Sequence, residues 1–300
     1  MSILPPTTPA FANALLNDTY ATERGVQQAE LQLTTGQAIN QPSDNPPGTV
    51  ETLQLQAAQS RVNGYVSNAS AGMGQLGQAQ NALSSALSTL NQVMDTLEGA
   101  SQAQDSSTGE QADAAQLRSL SSALLQIANT TYDGYAVFGG TSGVTSAFDS
   151  SGTYQGNTTI ASVTVAAGTQ LQTGVVGADV FGSTVAGSPG SSIFSVIDQA
   201  AADLAGGNLA GAQAAESAVS TYVTQANDAI ATVGSLYDQF QQASDAANAT
   251  LTTLTTETSN VLDANVAQVD TTYQADQNSL QASMYAIANV VPESLLQYLP

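Results

Sequence analysis

Carboxylates and hydroxyls are the only side chains here with the chemistry for catalysis. The chain has 24 acidic residues, but no histidine, cysteine, lysine or tryptophan. Without histidine or lysine, a serine has no base to activate it, which excludes Ser-His-Asp and Ser-Lys sites. Paired carboxylates could hydrolyse a glycoside, yet the acidic residues are scattered and no tryptophan could hold a sugar. We therefore predict no catalytic residue, no cofactor site, no metal site and a protein that is not an enzyme.

The charge balance narrows the choice of partners. Only three residues are basic, namely Arg24, Arg61 and Arg118, and the formal net charge is −21. Nucleic acids and anionic membrane surfaces are bound by clustered Lys and Arg, so we expect neither as a partner. The sequence contains no apolar run of the length that spans a membrane, which predicts no membrane insertion. The start of the chain, "MSILPPTTPAF", lacks the pattern of a cleaved secretory signal.

Long apolar stripes predict the elements that make up most of the chain. Apolar residues recur every three or four positions from Val62 to Leu97 and from Val219 to Leu254, with shorter stripes at 117–127 and 193–204. This spacing is typical of helices in bundles. Near residues 254–266 the alternating spacing changes to steps of four, which indicates a join between two helical blocks. Residues 139–191 are rich in Gly, Ser, Thr and Val, and "TTIASVTVAAG" (158–168) alternates as strands do.

These patterns predict a mainly α fold. We expect a long antiparallel helical rod, a coiled-coil bundle formed by both ends of the chain, with a small β-rich domain inserted in the middle.

One short stretch interrupts the helical pattern near the start of the chain. Residues 34–48, "TTGQAINQPSDNPPG", hold three prolines, two glycines and an Asn/Ser/Asp cluster. This exceeds the two to eight residues that usually join helices in bundles. We predict a stiff connector, in which prolines fix φ, polar side chains cap backbone groups and glycines permit tight turns. The predicted connector residues are Gly36, Asn40, Pro42, Ser43, Asp44, Pro46 and Gly48.

Both ends of the chain carry more apolar residues than one two-helix contact would bury. An intramolecular coiled coil accounts for residues 62–261, but the surplus at the ends favours self-assembly. The predicted assembly interface consists of Phe11, Leu15, Leu31, Leu33, Val269, Tyr273, Leu280, Met284, Ile287, Val291, Leu295, Leu296 and Leu299.

Motifs at both ends resemble those of bacterial flagellins and flagellin-like axial proteins. "LQLTTGQAINQPSDNPPG" is similar to the N-terminal motif of that family, although Gln37 and Ala38 replace its basic pair. "ADQNSLQASMYAIANVVPESLLQYL" resembles its terminal helix. The segment "IANTTYDGYAVFGGTSGVTSAF" (127–148) is similar to the branch of hook-associated proteins at the hook–filament junction. The start "MSILPPTTPAF" departs from the family's usual Met-Arg-Ile.

The resemblance implies an arrangement of domains. Residues 1–33 with 262–300 would form inner terminal helices, and 34–48 would connect them to an outer helical rod of 49–138 with 192–261. Residues 139–191 would form the small β-rich domain.

The resemblance also implies a function and a location. It implies a secreted structural protein, exported by the flagellar type III route, that joins the hook-associated ring to the filament. Its implied partners are copies of itself in a ring, the preceding hook-associated protein, flagellin and an export chaperone that binds the C-terminal region. A major filament subunit remains an alternative, as does a cytoplasmic coiled-coil scaffold.

Overall fold

A computed structural model describes residues 8–102, 107–183 and 192–296. The described residues form seven helices and two small antiparallel sheets of two strands each. The helices are α1 (Thr8–Thr35), α2 (Pro46–Gln102), α3 (Ser107–Ala128), α4 (Gly177–Phe181), α5 (Ile193–Ala205), α6 (Leu209–Leu262) and α7 (Val266–Leu296). The strands are β1 (Thr131–Tyr132), β2 (Tyr135–Ala136), β3 (Ser162–Ala166) and β4 (Thr169–Gln172). The prediction of a mainly α fold with a small β-containing middle is confirmed.

The chain divides into two compact units. One, here called the terminal unit, comprises Met1–Arg61 and Leu251–Pro300, and the other, the middle unit, comprises Val62–Thr250. No helix within the described ranges combines the length and the apolar content of a membrane span.

The middle unit has a continuous apolar core with a seven-residue period. In α2 the period is set by Leu76, Leu83, Leu90 and Leu97, all 1% exposed or less. In α6 the same spacing is kept by Val219, Ala226, Val233 and Phe240, none of which is exposed. A seven-residue repeat keeps one helix face toward the core. Gln80 interrupts the apolar spacing that was predicted from Val62 to Leu97, and it lies on the exposed surface.

Aromatic rings fill the core beside the small sheets. Phe148 packs edge-on against Phe181 and Phe194, with ring centroids 5.7 and 5.2 Å apart. Phe138 meets Phe181 in the same way at 5.5 Å. The Tyr154 hydroxyl donates a hydrogen bond to the Phe138 carbonyl at 2.8 Å, and burial raises the pKa of Tyr154 to about 12. Edge-to-face packing adds to the free energy of burial.

The structure explains why residues 127–148 carry a recognisable pattern. The Asn129 side chain donates to the Phe148 carbonyl at 2.9 Å and accepts from the Phe148 amide at 2.8 Å, so it holds Phe148 in the aromatic core. Gly140 has φ of +67°, a conformation that favours glycine. The Thr141 amide donates to Asn157 Oδ1 at 3.0 Å. The side chains of Asn129 and Phe148 and the glycine at 140 therefore each have a structural reason, whereas the Thr141 amide bond does not depend on the residue type.

Candidate assembly surface

The first element of the candidate surface is the non-helical stretch 36–45, between α1 and α2. Gly36 follows the last residue of α1 and has φ of +70°, with open space where a Cβ would be. Glycine is therefore needed for the backbone conformation and not for close packing. The stretch is shorter than the predicted connector 34–48, because Thr34 and Thr35 belong to α1 while Pro46 and Gly48 belong to the first turn of α2.

Two polar side chains hold the end of this stretch. Asp44 Oδ2 accepts from the backbone amides of Asn40 and Gln41, at 3.0 and 2.9 Å. Asn45 Oδ1 accepts from the Gly48 amide at 3.1 Å, which caps the start of α2. Pro46 is the first residue of α2, a position where the missing N–H of proline costs no helical hydrogen bond. For this reason the non-helical stretch ends at Asn45, three residues before the end of the predicted connector 34–48.

The same stretch forms backbone hydrogen bonds with the segment between α6 and α7. The Ala38 amide donates to the Leu262 carbonyl at 2.7 Å, and the Ala264 amide donates to the Gly36 carbonyl at 2.9 Å. These bonds form an antiparallel bridge in which Gln37 lies opposite Asp263. We call this pair of hydrogen bonds the clasp. It joins the end of α1 to the beginning of α7.

A close contact supports the clasp from the side of α2. Ile39, 8% exposed, lies against Gly48, where a Cβ would be 2.7 Å from Ile39 Cδ1. Real Cβ contacts are essentially never that short, so Gly48 is the residue that lets Ile39 pack there. Gln32 adds a hydrogen bond from its Nε2 to the Ala38 carbonyl at 2.9 Å.

Helices α1 and α7 pack against each other, but polar residues line much of the contact. A groove of about 310 Å³ between them is lined by Gln28, Gln32, Gln268, Thr272 and Asp276, among others. A Cβ on Gly25 would be 2.8 Å from Asp276 Oδ2, so the helices approach closely at this point. Only Ala29 and Ile39 are buried apolar residues in the parts of the terminal unit whose side chains are described, 13–61 and 251–288.

The predicted interface residues fall into three groups in the structure. Leu15, Leu33, Val269, Tyr273, Leu280 and Ile287 are half-buried, whereas Leu31 and Met284 are 39% and 60% exposed. Phe11, Val291, Leu295 and Leu296 belong to α1 and α7, but their side chains lie outside the described part. Leu299 lies outside the described residues altogether. The role of these residues in assembly stays a prediction.

Large exposed apolar side chains extend the surface beyond the predicted set. On α1 and α7 they are Leu16, Tyr20, Val266 and Tyr285, the last 73% exposed. On the first turns of α2, Val50 and Leu53 are 55% and 60% exposed. The prediction missed the two α2 residues because it counted the stripe only from Val62. Apolar residues three apart, directly after the Pro-Pro-Gly start of the helix, were the available signal.

The remaining connector residues are on the surface. Asn40 donates from Nδ2 to the Gln37 carbonyl at 2.9 Å, and Pro42 and Ser43 are exposed. No group of three or more potential metal ligands occurs in the part of the chain that the structure describes.

Comparison with known proteins gives one family match and several solved structures of the same fold. Residues 7–142 match the family model of the bacterial flagellin N-terminal helical region. This segment contains α1, the 36–45 stretch, α2 and α3. The resemblance stated from the sequence motifs is therefore confirmed there. No curated protein matches the chain.

Solved structures with the same fold include several hook-associated proteins. One, from Vibrio parahaemolyticus and described as a flagellar hook-associated protein, has 18% identity and a TM-score of 0.67, covering 73% of this chain and 100% of its own. FlgL from Xanthomonas campestris has 17% identity and a TM-score of 0.60, covering 69% and 99%. Flagellar hook-associated protein-3 from Legionella pneumophila has 14% identity and a TM-score of 0.61, covering 69% and 98%. At these identities the likeness concerns the fold.

Proposed function

We propose that this flagellin-like structural protein, whose residues 7–142 carry the bacterial flagellin N-terminal helical region, joins the hook to the filament of a bacterial flagellum. The observation that carries the proposal is the exposure of large apolar side chains on α1, α2 and α7 of the terminal unit. The proposed role is structural and not enzymatic.

The terminal unit lacks the apolar core that would hold its helices together alone. Its buried apolar residues in the described part are one alanine and one isoleucine. The groove between its helices is lined by amides, a hydroxyl and a carboxylate together with three alanines and one valine. Long helices in water are stabilised mainly by packing an apolar face, so α1 and α7 need further partners. Exposed apolar surface of this kind marks interaction sites.

Packing with neighbours would supply the missing burial. Tyr20, Met284 and Tyr285 are each more than half exposed. Complete burial of one large apolar side chain contributes roughly 1.5–3 kcal/mol. Several such residues per chain provide enough free energy to drive assembly once neighbouring subunits cover them.

The neighbours we propose are those of a junction ring. They are further copies of this chain, a preceding hook-associated protein on one side and flagellin on the other. An export chaperone would cover the C-terminal region before secretion, since Tyr285 on α7 is the most exposed large apolar side chain in the described part of the terminal unit. The proposed location is the hook–filament junction, after export from the cell.

A major filament subunit is the competing function, because the flagellin N-terminal region by itself does not separate the two roles. Immunogold labelling of whole cells with an antibody against the middle unit distinguishes them. We expect a narrow band at the end of the hook, with a deletion strain as the control. Label along the whole filament would assign the competing role, and label retained inside the cells would contradict both.

A further inference from the structure

A second surface feature belongs to the middle unit. A groove of about 330 Å³ is formed by Ile160, by residues 175–180 that lead into and through α4, and by one face of α6 from Gln225 to Thr232. Ile160, Val175, Val176, Val180 and Ala229 make its walls apolar.

Two carboxylates are the charged groups of this groove. Asp179 on α4 and Asp228 on α6 line it, both are exposed, and no basic residue lines it. Neither carboxylate forms an ion pair or a side-chain hydrogen bond with the described residues. Two uncompensated negative charges beside low-dielectric walls create a potential that attracts a cation.

An unpaired acceptor belongs to the same groove. Gln225 lines it, and its Oε1 atom is shielded from solvent without accepting a hydrogen bond from any described residue. Buried polar side-chain atoms in proteins nearly always have a partner, so each exception calls for an explanation. Rotation of the flexible Gln225 side chain would present this acceptor to a donor in the groove.

Apolar walls, two carboxylates and an amide acceptor together match one kind of side chain. A lysine places four methylene groups against apolar surface and carries three N–H donors on a compact cation. This chain contains no lysine and only three arginines, so copies of itself offer little that fits. We propose that the groove receives a lysine side chain from a different protein.

The absence of both cysteine and lysine from the sequence permits a sharp test in the producing cells. Thr232→Cys places one thiol at the groove, and a thiol-to-amine cross-linker can then reach a lysine only on another protein. Gln241→Cys, an exposed position on α6 outside the groove, is the matched control.

We expect Thr232→Cys to yield an adduct whose linked lysine is mapped by mass spectrometry to one site. Its yield should fall at least fivefold when Asp179→Asn and Asp228→Asn are added, and the control should not form it. An adduct through the N-terminal amine of a second copy would overturn the proposal. An equal yield from the control, or a yield unaffected by the Asp→Asn changes, would also overturn it.

A binding experiment on the purified full chain tests the chemistry directly. The probes are n-butylammonium and the neutral n-butanol, followed by NMR of labelled isoleucine and valine methyl groups. We expect butylammonium to shift Ile160 and Val176 but not the core residue Val219, with at least tenfold weaker binding for Asp228→Asn. Asp238→Asn, outside the groove on the same helix, should bind as the unmodified chain does. Equal shifts with butanol, or no effect of Asp228→Asn, would overturn the proposal.

Discussion

Both units of this chain are built mainly from long helices, but they use their apolar residues differently. In the middle unit, leucine, isoleucine and phenylalanine side chains are enclosed completely, as at Leu83, Ile197 and Phe240. In the terminal unit, residues of the same size remain exposed, as at Leu53, Met284 and Tyr285. We therefore expect the middle unit to fold alone and the terminal unit to depend on partners that cover it. On this proposal, stability and assembly depend on separate parts of one sequence.

The largest expected effect comes from removing the end of the terminal unit. Truncation of residues 280–300 deletes Leu280, Met284 and Ile287 together with the residues that follow. Because several large apolar side chains at roughly 1.5–3 kcal/mol each would be lost from the assembled interface, we expect no incorporation into flagella. We would measure the amount of filament protein in the medium and examine the cells for filaments by electron microscopy.

A matched substitution keeps this test specific. Gln281→Ala changes an exposed polar residue of α7 and should assemble normally. The truncated chain should also keep the thermal unfolding of its middle unit. Normal filaments from the truncated chain, or a middle unit that no longer unfolds cooperatively, would break the comparison between the two units.

The second effect compares one substitution in each unit. Phe240→Ala removes a fully buried ring that contacts Gly72 on α2, so we expect the free energy of unfolding to fall by about 3–5 kcal/mol. Met284→Ala removes a side chain that is 60% exposed, so the isolated chain should change by no more than about 0.5 kcal/mol. Urea unfolding of the purified chain, followed by circular dichroism, measures both. Equal losses would show that the terminal unit has an autonomous core after all.

A smaller effect is expected at the start of α2. Asn45→Ala removes the cap on the Gly48 amide, a change that typically costs about 1 kcal/mol. The loss should be local, so amide hydrogen exchange at Gly48 should accelerate while the unfolding of the middle unit stays the same. Ser43→Ala is the control, because this exposed hydroxyl makes no hydrogen bond with the described residues. If hydrogen exchange at the Gly48 amide were unchanged in Asn45→Ala, the Asn45 side chain would not be the cap of α2.

The smallest expected effect is a change in the stability of the middle unit at low pH. The Ser151 hydroxyl, at 2.6 Å, is the main cause that holds the pKa of Asp149 below its usual value of 3.8, with help from the Thr153 and Ser151 amides. Because the folded pKa is the lower one, the carboxylate stabilises the fold above the unfolded pKa. That contribution is lost as the pH falls through the folded pKa. Asp149→Asn should therefore be less stable than the unmodified chain at pH 6, and the difference should shrink below about pH 4.

Thermal unfolding at a series of pH values checks this prediction. Asp95→Asn, an exposed acidic position on α2, provides the matched control and should show a smaller difference. If the stability difference between Asp149→Asn and the unmodified chain grew as the pH fell, the prediction would be wrong.

The sequence predicted the middle unit better than the terminal one, for a physical reason. Leu76, Leu83, Leu90 and Leu97 repeat every seven residues because a single buried face imposes that period, and the pattern is readable without a structure. The break before α7 also followed from a change of spacing near Leu262.

Other features leave no mark in the sequence. The clasp consists of backbone hydrogen bonds, which any residue except proline can form, between segments far apart in the chain. The close approach of Gly25 to Asp276 depends on which helices become neighbours, as does the unpaired oxygen of Gln225. Residue types alone do not specify which helices become neighbours. The end of the connector was misplaced because Pro46 reads as a turn residue but serves as a helix start.

The clasp has a consequence for the order of folding. Its two hydrogen bonds connect Gly36 and Ala38 with residues more than two hundred positions later in the chain. Closing so long a loop in an unfolded chain costs conformational entropy, and two hydrogen bonds do not offset that cost. Once Val62–Thr250 has folded, most of the loop is already ordered and the remaining cost is small. We therefore expect the clasp to close last, so that the chain folds from its middle toward its ends.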